Sequence, residues 1–155
     1  MFDCKTSSTP MNINEKLSSN YDTGDVNVRY YRQMGGGLNY LSHTRPDIAY
    51  SVSVVSKFMH NPSKQHLGAV RRILKYVADT TEYGIFYSKV SDFKLVGYTD
   101  SDWAGCLDDR KITSGYVFTL GSGAISWSSK KQETVALSSS KAEYAAISLA
   151  TCQAI

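Results

Sequence analysis

The spacing of apolar positions changes near residue 80: upstream they recur every three or four residues, downstream they fall in short β-favouring runs between polar turns. Residues 1–28 are rich in Ser, Thr, Asn and Asp, carry Pro10 and keep no apolar period, which predicts a flexible lead-in. Residues 30–41 have helical spacing, but Gly35-Gly36-Gly37 interrupts it at about 1 kcal/mol per glycine relative to alanine, so a weak or broken helix is expected. Next, Thr44 can cap, Pro46 suits a first turn, and Ile48, Val52, Val55 and Met59 form a stripe ending near His60-Asn61-Pro62. Ser63 precedes a further helix with Leu67, Val70, Ile73 or Leu74, and Val77 on one side and Lys64, Arg71 and Lys75 on the other. The short Asn-Pro turn between these two helices predicts a hairpin.

Downstream, Ile85-Phe86-Tyr87, Leu95-Val96-Gly97-Tyr98, Tyr116-Val117-Phe118 and Ala124-Ile125-Ser126-Trp127 read as a strand meander. From about Ser139 a serine-capped helix follows, carrying Ala142, Glu143, Tyr144, Ala145, Ala146, Ile147 and Leu149. The fold class is therefore α+β, with helices first and an antiparallel sheet with one helix after them.

Composition narrows the class without choosing a function. At 155 residues, 42% hydrophobic and 20% charged, the chain can bury a core. A net charge of +3 permits contact with nucleic acid but falls short of a dedicated binding domain, and Lys and Arg are spread out apart from Arg71/Arg72 and Lys130/Lys131. Cys4, Cys106 and Cys152 are widely spaced and form no Cys-x-x-Cys pair, which suits a reducing interior. No secretory signal and no apolar stretch near the roughly 20 residues needed to span a bilayer is visible, so a soluble intracellular protein, cytoplasmic or nuclear and without membrane contact, is expected.

Chemistry concentrates in Tyr98-Thr99-Asp100-Ser101-Asp102-Trp103-Ala104-Gly105, where an apolar strand delivers carboxylates at its end. Strand alternation puts Asp100 and Asp102 on one side, and Mg²⁺ favours hard oxygen ligands, often one or two carboxylates with substrate phosphate. The alternative is a solvated strand end running into a turn. Glu143 sits in an otherwise apolar helical stretch, where it needs a partner or a role; the alternative is a surface glutamate favoured by the helix dipole. His43, His60 and His66 lie near helix boundaries or on polar faces, with no nucleophile motif beside them. The 11 tyrosines, with Trp103 and Trp127, read as packing more simply than as base-stacking groups.

Several ordered phrases resemble copia-type retrotransposon Pol polyproteins. Thr44-Arg45-Pro46-Asp47-Ile48-Ala49-Tyr50, Ser56-Lys57-Phe58-Met59-His60-Asn61-Pro62-Ser63-Lys64 and Arg72-Ile73-Leu74-Lys75-Tyr76 look like the region after the reverse transcriptase palm. Gly97-Tyr98-Thr99-Asp100-Ser101-Asp102-Trp103-Ala104-Gly105, Asp109-Arg110-Lys111, Thr113-Ser114-Gly115-Tyr116 and Trp127-Ser128-Ser129-Lys130-Lys131-Gln132 look like the opening of a ribonuclease H-like domain. The resemblance implies a lead-in over 1–28, thumb- or connection-like helices over 29–80, and the first part of a ribonuclease H-like domain over 81–155. It also implies Mg²⁺-dependent cleavage of the RNA strand of an RNA–DNA hybrid, with Asp100 and Glu143 as metal ligands and catalytic residues and Asp102 a nearby participant.

Departures from the pattern lead to an expectation of a catalytically incomplete fragment. The family's later acidic positions have no counterpart before Ile155, no Tyr-x-Asp-Asp occurs, and Lys141 stands where the family usually has an acidic residue. Two other functions stand beside this one: a hybrid nuclease completed by another chain, and a secreted RxLR-type effector-like protein acting inside host cells through protein contacts. For the latter, Arg72-Ile73-Leu74-Lys75 departs from Arg-x-Leu-Arg at its last residue. Expected partners are RNA–DNA hybrid or another nucleic acid, bound weakly, and a second copy or protein partner at an exposed sheet edge.

Overall fold

A computed structural model of the chain describes residues 5–13, 15–20, 24, 26–102, 108, 111–133 and 135–155. Trp103, Ala104, Gly105, Asp109, Arg110, Cys4 and Cys106 lie outside the described residues. The chain divides into two compact units, Met1–Gly84 and Ile85–Ile155.

In the first unit, α1 (Val28–Leu41) starts at Asn27, whose side chain accepts from the Tyr30 N–H at 3.0 Å. It runs unbroken through Gly35-Gly36-Gly37, correcting the expectation of a weak or broken helix. The reason is packing: Tyr31, Gly35 and Leu38 are buried on one face, and a Cβ at Gly35 would lie 2.7 Å from Met59 Cε. The missing side chain admits Met59, and burial of the apolar face outweighs poor intrinsic propensity.

Helix α2 (Pro46–Ser56) has Pro46 in its first turn, as expected, but its N-cap is Arg45 rather than Thr44, whose hydroxyl instead donates to Leu41 O at 3.2 Å. It ends at Ser56, short of the expected His60. The amides of Lys57, Phe58 and Met59 donate to carbonyls three residues back, closing the helix with a tightened turn.

Ser63 caps α3 (Lys64–Asp79) through a capping box, in which Ser63 Oγ accepts from His66 N–H and His66 Nδ1 accepts from Ser63 N–H at 2.9 Å. That assigns the proton to Nε2, which donates to Ser18 O at 3.1 Å. His66 is fully buried and stacked on Phe58 at 3.8 Å, so its role is structural and it is not on a polar face. His43 and His60 are exposed.

Ile48, Val52, Val55, Val70 and Ile73, each at 1% exposure or less, form the centre of this unit's core. Burying each such side chain is worth about 1.5–3 kcal/mol. Leu17 joins them, and Arg72 donates to Thr9 O and Thr9 Oγ1. The polar stretch expected as a flexible lead-in thus contributes Leu17 to the core, with Met11 and Val26 packed against it.

One polar network ties the start of α2 to the end of α3. Buried Arg45 donates to both oxygens of Asp47 at 2.9 and 2.7 Å, to Thr80 O at 2.9 Å and to Thr80 Oγ1 at 2.7 Å. Tyr76 OH donates to Asp47 Oδ2 at 2.9 Å, and the rings of Tyr76 and Tyr83 lie 5.9 and 5.7 Å from the guanidinium. A cavity of about 340 Å³ beside it is lined by Arg45, Pro46, Asp47, Glu82, Tyr83 and Gly84.

The second unit is a three-stranded antiparallel sheet in the order β1 (Leu95–Asp102), β2 (Thr113–Leu120), β3 (Gly123–Lys131), followed by α4 (Ser139–Ala154). Three of the four expected strand runs are strands. Ile85-Phe86-Tyr87 is not, because its segment docks through side chains: Tyr87 OH donates to Ala124 O, Ser88 N–H donates to Ser122 Oγ, and the Tyr87 ring fills the space above Gly123. The observed class is α+β, with four helices and one antiparallel sheet among the described residues. No described helix is long and apolar enough to cross a membrane.

Two predictions follow from the first unit. Gly36 has open space around it, so Gly36→Ala should stabilise the chain by about 0.5–1 kcal/mol in urea unfolding, and Gly35→Ala should gain less because Met59 must move. The hydrogen bond from Arg45 holds the Asp47 carboxyl below its ordinary value of 3.8. The pair's contribution is therefore fully present above that value and is lost as pH falls through the lower, folded one. Asp47→Asn should cost about 2–3 kcal/mol at neutral pH, less than for a fully buried pair because the carboxylate is 30% exposed. It should also flatten the stability–pH curve below about pH 4, measured by denaturation at several pH values.

Candidate metal centre

Strand β1 reaches its acidic end through an apolar start, and its register with β2 fixes which side each residue takes. Gly97 pairs with Phe118, Thr99 with Tyr116 and Ser101 with Ser114, so these six share one sheet face. Asp100 and Asp102, opposite Gly115 and Thr113, take the alternate positions and are exposed. This is the same-side placement that strand alternation predicts. On the aspartates' face β3 continues the rows with Ser129 and Lys131.

Helix α4 lies on the Ser101 face. Ser138 Oγ accepts from Lys141 N–H at 3.3 Å and starts the helix. Ala142 and Ala146, one turn apart, are 0% and 2% exposed. A Cβ at Gly97 would come within 2.6 Å of the Phe118 ring, so glycine leaves room for that ring in the small core of this unit.

Glu143 follows Ala142 and is exposed, and Ser101 Oγ donates to its Oε1 at 2.8 Å. The structure thus ties the helix carboxylate to the residue between Asp100 and Asp102, while the two aspartates project from the strand's other side. Among the described residues no group of three or more His, Cys, Asp or Glu side chains is arranged to hold a metal ion. Asp100 and Asp102 stand on one face of β1 and Glu143 is tied to the other, so these carboxylates are hard oxygen donors that do not converge on one point.

Two residues at this place were not singled out from the sequence. Ser101 could have been found by alternation, which sends it to the face opposite the aspartates. Ser114, its cross-strand partner, is 7% exposed and its hydroxyl has no hydrogen-bond partner among the described residues. No sequence signal marks it. An unpaired buried hydroxyl costs about 1–3 kcal/mol. Ser114→Ala should therefore stabilise the chain by about 1 kcal/mol in chemical denaturation, and a loss of stability would mean that the hydroxyl has a partner in solution.

Comparison with known proteins places these elements in context. The chain is 46% identical over 147 residues to the retrovirus-related Pol polyprotein from transposon RE1 of Arabidopsis thaliana, covering 95% of this chain and 10% of that protein. It is 46% identical over 129 residues to secreted RxLR effector protein 161 of Plasmopara viticola, covering 83% of this chain and 91% of the effector. It is 40% identical over 154 residues to an uncharacterized mitochondrial protein of Arabidopsis thaliana, covering 99% of this chain and 63% of that one. The chain spans about a tenth of the length of the Pol polyproteins it matches. No protein-family profile and no solved structure matches it.

Proposed function

We propose, from the premise that the chain belongs to the family of retrovirus-related transposon Pol polyproteins, that its second unit carries part of a ribonuclease H-like metal site and does not cleave nucleic acid by itself. The observation that carries this reading is the Ser101–Glu143 hydrogen bond, which sets a helix carboxylate beside the strand end bearing Asp100 and Asp102. Asp100 and Glu143 would hold Mg²⁺, with Asp102 adjoining. The metal, when bound, supplies electrostatic stabilisation to a phosphate undergoing hydrolysis. The chain's own carboxylates would hold that cation, Asp100 from the paired β1 and Glu143 from a helix seated on the same strand.

A clamp of two ions needs carboxylates around both. The described residues group no three carboxylates for even one such ion, so water and substrate oxygens would supply most of its shell. Incomplete coordination is thus the reason for inactivity in isolation, and the ligand expected is an RNA–DNA hybrid held weakly.

The near full-length match to a secreted effector favours a second reading, an interaction protein working through the exposed strands of its sheet. Such a role would not run through residues 72–75, because Arg72 is bonded to Thr9 and Leu74 packs against the core of the first unit.

The two readings separate on a labelled RNA–DNA hybrid with Mg²⁺. The folded wild type should bind without cleaving, and Asp100→Asn should abolish the Mg²⁺-dependent part of binding. Cleavage lost in both Asp100→Asn and Glu143→Gln would make the chain a nuclease. Absence of any Mg²⁺-dependent binding would favour the interaction protein.

A further inference from the structure

We infer that the cavity beside Arg45 is a recognition pocket for an arginine side chain presented by another polypeptide. All of its lining residues belong to the first unit, and the inference does not depend on the metal-site reading above. A volume of about 340 Å³ stands at the low end of the range for ligand sites, which suits one amino-acid side chain rather than a cofactor.

The wall of the cavity is held in place from behind. Arg45 Nη1 donates to Thr80 O at 2.9 Å, and the Tyr83 N–H donates to the same carbonyl at 3.1 Å, closing a turn from Thr80 to Tyr83. Arg45 Nη2 donates to Thr80 Oγ1, whose own proton goes to Tyr76 O at 2.8 Å. The buried guanidinium thus anchors the turn that brings Glu82 and Tyr83 to the cavity.

Charge decides the class of ligand. Four of the five guanidinium N–H groups of Arg45 are taken, two by Asp47 and two by Thr80, so an entering anion would find one donor and two carboxylates. Asp47 is neutralised by that guanidinium and also answers the positive end of α2. Glu82 is exposed and makes no ion pair among the described residues, which leaves the cavity with one cation against two carboxylates. A positive group is the complementary ligand. Tyr83 then selects among cations, because its ring is 61% exposed and a planar guanidinium can stack on an aromatic face while its fork of N–H groups meets a carboxylate. An ammonium is a more strongly hydrated point charge without that planar match, so arginine is favoured over lysine.

The test uses the full chain with Nα-acetyl-arginine methylamide as probe, beside the lysine and norleucine analogues and acetate. Binding is read by NMR at the Glu82 amide and, where present, the Tyr83 ring. The arginine probe should shift both signals saturably with a Kd on the order of 1–10 mM, the lysine analogue should bind less tightly, and norleucine and acetate should not bind. Glu82→Gln and Tyr83→Leu replace exposed side chains, and each should weaken arginine binding about three- to fivefold in a chain that keeps its spectrum. High salt should remove the difference between wild type and Glu82→Gln. No saturable shift at Glu82 and Tyr83, undiminished arginine binding in folded Glu82→Gln, equal binding of norleucine, or a preference for acetate overturns the inference.

Discussion

The second unit depends on how closely α4 can lie on β1. A helix resting on a sheet is held off by whatever side chains stand between them, and here those are alanines: Ala142 and Ala146 supply the buried positions of α4. Gly97 in turn makes space for Phe118. The small contact surface brings the helix down far enough for the short serine side chain at 101 to reach Glu143. A larger residue at 142 or 146 would lift the helix and open that bond, so the site's geometry is set by residues with no chemistry of their own. The same economy has a consequence for packing, since alanines bury little apolar area and leave Tyr144 and Ile147 on the exposed side of the helix.

The first unit solves a different problem. Its core is apolar, and the buried Arg45 is bonded to Asp47 and Thr80 and lies near two tyrosine rings. A half-buried ion pair of this kind contributes little net stability compared with an apolar replacement, but it is costly to break on the buried Arg45 side. Its effect is to fix register: Arg45 precedes α2, Thr80 follows α3, and bonds between them allow one relative placement of those two helices.

Periodicity made the helices and three strands legible because each buries a regular stripe or alternates between faces, and a regular stripe is what a sequence displays. The capping serines at 63 and 138 were legible for a related reason: a short hydroxyl before an apolar run has few better uses than an orphan helix amide. The failures share one cause, contact across long separations. Gly35 was read as a helix breaker because the residue that fills its place, Met59, is distant in the chain. Ile85-Phe86-Tyr87 has strand composition, yet Tyr87 spends its hydroxyl and ring on the β2–β3 hairpin turn instead of forming a ladder. Leu17, with Met11 and Val26 packed beside the same core, is an apolar residue without period in a polar stretch, and only the core it enters gives it meaning. At the site, the aspartates stood out because charge at a strand end is conspicuous, whereas Ser101 was hidden because serine is commonplace in strands and turns alike.

The contrast between the units bears on how such a chain could serve relatives of very different size. It spans about a tenth of the transposon Pol polyproteins and nine-tenths of a small secreted effector. The first unit has a packed apolar core of its own. In the second unit the sheet carries Leu95, Tyr98 and Ile125 about half or more exposed, beside Phe86 and Phe93, which are more exposed still. Leu95 shares the Ser101 side of β1 and Tyr98 the aspartate side, so the exposed apolar residues are spread over both sides of the sheet. Inside a long polyprotein, neighbouring sequence can cover such residues, whereas a protein of the effector's size has little further chain to do so.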